Sequence, residues 1–233
     1  MSIITKLYFK NEIYLPHAKE GITGSVTDVE AKVVSFIDEY EQDCLIKSLG
    51  PRLALEFFTE LDTSEPTLIK AGSNVKWNAL LNGETYTRPN GEQGVWKGIR
   101  RKRNSLGTVD SDVYDNSFLA NYVYFFYESN NFITTSGSGN GRLKSANIES
   151  VIPNQKVTKS WNKFVYCVQG KDDVPFYYIK TGLFGGCAVD YYNHKEGEEI
   201  SMYEFIDEKN ELVKDTYQFF EPKKWEFINQ QGI

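Results

Sequence analysis

The sequence predicts a mainly helical protein. A helical body spans residues 27–169, a short β-hairpin or extended arm precedes it (1–26), and a smaller α+β or extended appendage follows it (170–233). Three observations carry this prediction. Residues 27–50 read as one long amphipathic helix with punctuation at both ends. Apolar residues at helical spacing recur in four further runs as far as Gln169, and beyond Gly170 the texture changes to aromatic, β-branched and Gly residues in alternation.

Taken in order, residues 3–15 alternate in part, with Leu7, Phe9, Ile13 and Tyr14 flanking the turn-like Lys10-Asn11-Glu12. An edge hairpin and a free arm fit equally. Since arms are a common device for holding a second subunit, Leu7 and Phe9 are candidate interface residues.

The long helix starts at Thr27, where Thr27 and Glu30 match the capping-box spacing, and stops at Gly50-Pro51. Val29, Val33, Phe36, Ile37, Tyr40, Cys44, Leu45 and Leu49 form its apolar stripe. A helix of about 22 residues is roughly 33 Å long. Pro51 suits the first position of a second helix, with Leu53, Phe57, Phe58 and Leu61 inward. Glu65-Pro66 interrupts. A third helix is expected from Ser73 or Asn74 to Asn82, with Val75, Trp77, Leu80 and Leu81 inward and Gly83 as its stop.

Residues 83–111 show no periodicity and contain several glycines, so they are expected to form a long loop. It carries four consecutive cations, Arg100, Arg101, Lys102 and Arg103, with Trp96 close by. A solvated surface loop and a contact segment for phosphate or an acidic protein surface, anchored by Trp96, both fit. Residues 116–128 (NSFLANYVYFFYE) are apolar nearly all round, as expected of a helix buried on every side. The Gly/Ser-rich stretch 134–141 is expected to be flexible or ordered by a partner.

A further helix follows over 155–169, with Val157, Trp161, Phe164, Val165 and Val168 on one face. Residues 176–192 (FYYIKTGLFGGCAVDYY) read as strands or extended chain, and Ser201 and Glu204 repeat the capping-box spacing ahead of one short helix. The stretch from Thr216 is aromatic yet broken by Pro222. Phe219, Phe220, Trp225 and Phe227 therefore need a cover, from their own domain or from another subunit.

Composition narrows the function classes. The chain has 233 residues, a net charge of −6 and 15% aromatic residues. That charge argues against wrapping nucleic acid. Three cysteines without paired spacing point to a reduced compartment. The first residues show no export signal, and the longest apolar run, Phe118–Tyr127, is interrupted by Asn121 and too short to span a bilayer. No membrane association and no cofactor are expected. His17 and His194 stand apart, Cys187 and His194 lack the paired ligands of a zinc site, and the 182–186 glycines lack a phosphate-loop ending. No catalytic or metal-binding residue is nominated.

Five segments, taken together in order, resemble head-to-tail connector proteins (adaptor or head-completion rings) of tailed phages of the crAss-like type. They are FIDEYEQDCLIKSLGPRLALEFF (36–58), VKWNALLNGETY (75–86), VWKGI (95–99), FLANYVYFFYESN (118–130) and SWNKFV (160–165). The resemblance covers residues 27–169; the arm and the segment after Gly170 lie outside it. It implies a helical subunit that is not an enzyme and assembles as a closed, twelvefold ring beneath the portal. That ring extends the DNA channel and docks the next tail component. The implied partners are further copies of itself, the portal protein, adjacent tail or ring proteins, and packaged DNA passing without sequence-specific binding. The implied location is the virion, after synthesis in the host cytoplasm. Under this reading the 83–111 loop, the arm and the C-terminal aromatics contact neighbours, and Arg100–Arg103 face the portal or the passing DNA. Two other classes fit less of the sequence: a different virion or cargo protein, and a glycan hydrolase using some of the many carboxylates.

Overall fold

A computed structural model describes residues 2–9, 11–15, 26–65, 68–100, 102–103, 113–114, 117–131, 134–136, 139–141, 153–170 and 200–228. The protein is mainly helical. Among the described residues there are six α-helices: α1 (Val26–Leu49), α2 (Pro51–Glu60), α3 (Val75–Asn82), α4 (Phe118–Asn131), α5 (Pro153–Gln169) and α6 (Met202–Leu212). Three two-stranded antiparallel hairpins accompany them: β1 (Glu84–Thr87) with β2 (Gln93–Trp96), β3 (Lys102–Arg103) with β4 (Val113–Tyr114), and β5 (Thr134–Ser136) with β6 (Gly139–Gly141). The expected strands at 176–192, together with His17, Arg101, Cys187 and His194, lie outside the described residues, as do the side chains of Thr27, Val29 and Glu30.

The centre is an α1–α4–α5 stack. α4 is buried on nearly every side, as its all-round apolar pattern predicts, with Phe118, Leu119, Tyr122 and Val123 inside. On one flank Tyr40 stacks on Phe126 at 4.4 Å and Tyr127 meets Phe36 edge-on at 5.4 Å. On the other, Tyr122 lies 4.8 Å from Phe164. Asn121, which interrupts the apolar run, is fully buried and satisfied. Its amide donates to the Ser117 carbonyl (3.0 Å), and its own carbonyl accepts the Ser160 hydroxyl from α5 (2.8 Å). The Ser160 hydroxyl also lies 3.3 Å from the Asn121 side-chain oxygen, so the buried amide keeps polar partners at the start of α4 and on α5.

α1 begins at Val26, so Thr27 lies within the helix and not at its cap, whereas the ends at Gly50, Asn74, Gly83 and Ser201 follow their punctuation. Gly50 takes φ 86° between α1 and α2, and Pro51 opens α2. Asn74 caps α3 by accepting the Lys76 N–H (3.0 Å), and Gly83 ends it. Val75, expected inward, is 79% exposed, because the first residue of α3 precedes the turn that packs. Ser201 caps α6 by accepting from the Glu204 N–H, but the Glu204 carboxylate turns away to Arg88 rather than completing the reciprocal box.

Three sequence expectations are corrected. First, the N-terminal segment is neither a hairpin nor a free arm. It forms two 3-10 turns, Lys6–Tyr8 and Asn11–Ile13, laid on the body, and Ile3, Ile4, Tyr8, Phe9, Ile13 and Leu15 are buried there. Second, the 83–111 segment is not an open loop over its described part. β1 and β2 pair in register from Glu84↔Trp96 to Thr87↔Gln93, and the chain then returns to close α3. The N–H groups of Ile99 and Arg100 donate to the Leu80 and Leu81 carbonyls (3.1 and 3.0 Å), which satisfies acceptors that a helix end leaves open. This crossing is so tight that a Cβ on Gly83 would lie 2.4 Å from the Trp96 carbonyl. Third, residues 200–228 do not stand apart as an appendage: Met202, Phe205, Ile206, Tyr217 and Trp225 belong to the same hydrophobic core as α1–α5.

Candidate interaction surface

The C-terminal segment is the most informative part of the surface. After α6 it turns at residues 213–219 and runs extended to Ile228, crossing the end of α1 and then lying along α5. The backbone N–H groups of Glu221 and Lys223 donate to the Leu49 and Lys47 carbonyls (3.3 and 2.8 Å), so this strap closes the open C-terminus of α1. It passes so close that a Cβ on Gly50 would meet the Glu221 carbonyl oxygen at 2.9 Å. Gly50 is thus required twice, by its φ and by the strap.

On α5 two side-chain amides substitute for a neighbouring β-strand. Asn162 donates to the Ile228 carbonyl (2.9 Å) and accepts the Ile228 N–H (3.0 Å). Gln169 donates to the Trp225 carbonyl (2.9 Å) and accepts the Trp225 N–H. Between them the Trp161 indole N–H donates to the Glu226 carbonyl (2.8 Å). The spacing matches by geometry. Seven residues of helix rise about 10.5 Å, and three residues of extended chain cover about 10 Å. The register therefore allows each amide to saturate one strap residue, with the strap antiparallel to α5. Between those pairs the Trp225 ring inserts edge-on toward Phe164 (4.9 Å), Trp161 (5.7 Å) and Tyr122 (5.8 Å), and its indole N–H donates to the Tyr203 hydroxyl (3.0 Å).

Two non-glycine residues in the turn hold left-handed backbone, Asp215 (φ 61°) and Phe219 (φ 64°). For a bulky aromatic this conformation costs roughly 1–2 kcal/mol. The Arg52 guanidinium, 3.5 Å from the Phe219 ring centroid, helps hold it. Tyr217, between the two, is buried and tied to α3, its hydroxyl donating to the Lys76 carbonyl (2.8 Å) while the Lys76 ammonium donates to the Thr216 carbonyl (2.7 Å). An open groove of about 490 Å³ lies beside this turn, lined by Asp207, Asn210, Tyr217 and Phe219 among others.

The N-terminal segment is held differently. Glu41, on α1 and only 2% exposed, accepts the backbone N–H groups of Ile3 (2.8 Å) and Ile4 (2.9 Å) and the Ser2 hydroxyl (3.1 Å). Burial pushes its carboxyl up to about 7, against the lowering effect of those three hydrogen bonds.

The sequence-nominated contact residues divide. Trp96 is buried, stacked on Phe205 at 5.5 Å with its indole N–H donating to the Leu80 carbonyl (3.1 Å), so it is a core residue and not a surface anchor. Arg100 is 7% exposed, buried where the chain closes α3. Lys102 and Arg103 lie on β3, and Arg101 falls outside the described residues. Phe9 and Trp225 are covered by their own chain, Phe220 and Phe227 are partly buried against the same core, and Phe219 is half-buried under Arg52. Leu7 alone among the nominated apolar residues is well exposed, at 42%.

Sequence reasoning passed over Glu41, Asn162 and Gln169. The available signal was a carboxylate and two amides bordering apolar helix stripes, a pattern that solvated helix faces share. Elsewhere, Arg88 on the hairpin bridges Glu204 and Glu208 of α6, and Tyr86 donates to Glu208 (2.6 Å), so these carboxylates brace the hairpin. Among the described residues no cluster of His, Cys, Asp and Glu is arranged to hold a metal ion, and no helix is long and apolar enough to cross a membrane. Compared with protein-family models, with curated proteins and with solved structures, the chain finds no match.

Proposed function

We propose that this chain is a structural subunit of a tailed-phage head-to-tail connector, forming a ring beneath the portal that extends the DNA channel and docks the tail. The observation that carries the reading is the ordered series of five segments, 36–58, 75–86, 95–99, 118–130 and 160–165, which resembles that family. In support, these segments supply much of α1 to α5 and of β2, so the resemblance falls on the residues that build the core. The net charge of −6 is compatible with a channel that lets DNA slide without gripping it. In this reading Lys102, Arg103 and the exposed Leu7 remain contact candidates. Trp96, Arg100, Phe9 and Trp225 act as framework.

The test is the mass of the purified protein by light scattering, alone and with a portal protein, together with imaging of particles. About twelve copies in a closed ring, or a monomer that forms such a ring only on a portal, supports the proposal. A persistent monomer absent from virions overturns it, and a virion component of other stoichiometry moves the chain to a different structural class.

A further inference from the structure

We infer that the strap, residues 220–228, is exchangeable, and that the Asn162–Gln169 track on α5 is a docking surface for the strap of a second copy of this chain. Three observations lead there. The strap is bound by pairing that any extended segment presents, main-chain N–H and C=O groups, while the Trp225 slot selects this one. The chain enters it through Phe219, an aromatic residue in left-handed backbone, and a strained hinge is what exchange relieves. Tyr217 stays fixed to Lys76 just before that hinge, and an open groove lies beside the turn. Rotation at Phe219 therefore redirects 220–228, giving up the Tyr203 contacts to Phe220, Lys223 and Trp225 while Tyr217 keeps its tie to α3. Extended, those residues reach roughly 30 Å, enough to cross to an adjoining subunit.

An exchanged strap makes every contact the intramolecular one makes, so the closed and exchanged forms differ mainly in the hinge and in chain concentration. This inference deepens the ring proposal, since it requires self-association, but it does not depend on a portal or a virion.

The test uses the full-length chain. Phe219→Pro fixes φ near −65° and forbids the closed hinge, whereas Phe219→Gly removes its strain. Light scattering at matched concentrations is expected to give a multi-copy species for Phe219→Pro and a smaller mean mass for Phe219→Gly. Adding Asn162→Ala and Gln169→Ala to the proline variant is expected to return it to monomer. Equal masses for the proline and glycine variants overturn the inference.

Should Phe219→Pro fail to fold, complementation decides. Asn162→Ala/Gln169→Ala with an intact strap is mixed with Trp225→Ala with an intact track, and native mass spectrometry is expected to find a mixed species that neither forms alone. A mixture showing only the two separate species overturns the inference. If rings form while the mixed species is missing, the ring proposal stands and strap exchange does not. If exchange occurs but no virion contains the protein, the reverse holds.

Discussion

The two irregular segments that wrap the helical body, residues 2–15 and 220–228, are fastened by different chemistry. The first is tied to a buried carboxylate, Glu41, which accepts two backbone N–H groups and a hydroxyl. The second is tied to neutral amides, Asn162 and Gln169, each both giving and receiving. A buried carboxyl makes the first attachment sensitive to protons, because one protonation state must be desolvated. Neutral amides carry no such cost, so the second is indifferent to pH and its hold rests on packing of Trp225.

Four variants separate the two attachments. The largest effect belongs to Trp225→Ala, which empties a slot lined by Tyr122, Trp161 and Phe164. A loss of about 3–5 kcal/mol is expected, lowering the melting temperature of the monomer by roughly 6–20 °C. A shift within a degree or two would show that the strap lies outside the core.

Next comes pH. The Glu41 carboxyl sits at about 7 in the fold against an ordinary 4.5, so between those values the folded chain keeps a proton that the unfolded chain has lost. Its contribution to stability is then greatest below about pH 4.5 and falls as pH rises to about 7, by on the order of 3 kcal/mol. Denaturant titrations of wild type and Glu41→Gln across that window should differ in slope, with the variant flatter. Parallel curves would mean that the first segment is not proton-sensitive at all.

The third effect is smaller. Asn162→Ala leaves the Ile228 N–H and C=O without their pairing and should cost about 1–3 kcal/mol, the same at pH 5 and pH 8 in thermal melts. A pH-dependent cost would erase the contrast between the two attachments. Smallest of all, Leu7→Ser changes an exposed residue of the first segment and should leave stability within about 0.5 kcal/mol, so any loss of assembly in that variant reads as a contact and not as folding.

Helix existence and most helix faces were legible in the sequence because they follow a 3.6-residue period and carry local stops such as Gly50, Gly83 and Gly170. The hairpin at Glu84–Trp96 was not, since its strands are four residues each and its one-sided burial rests on contacts with α6, more than a hundred residues away. What covers the strap was not legible for a related reason. Phe220 and Trp225 have no period of their own, and they are covered by residues of α4, α5 and α6 distant in sequence, so local pattern left cover by their own domain and by another subunit equally open. Arg100–Arg103 read as one cation cluster, yet the chain buries Arg100 where it closes α3 and puts Lys102 and Arg103 on the next strand.

The closing of α1 by the strap also sets an order of events in time. The Leu49 carbonyl and the Glu221 N–H that meets it are separated by about 170 residues of synthesis, which takes roughly 9–35 s at 5–20 residues per second. The Trp225 slot, whose walls are complete only once Phe164 is made, lacks its lid for a shorter time, about 60 residues of synthesis or roughly 3–12 s at the same rate. Codon-paced slowing before residue 225 would lengthen that exposure, and a chaperone that shields aromatic surface would find its substrate there.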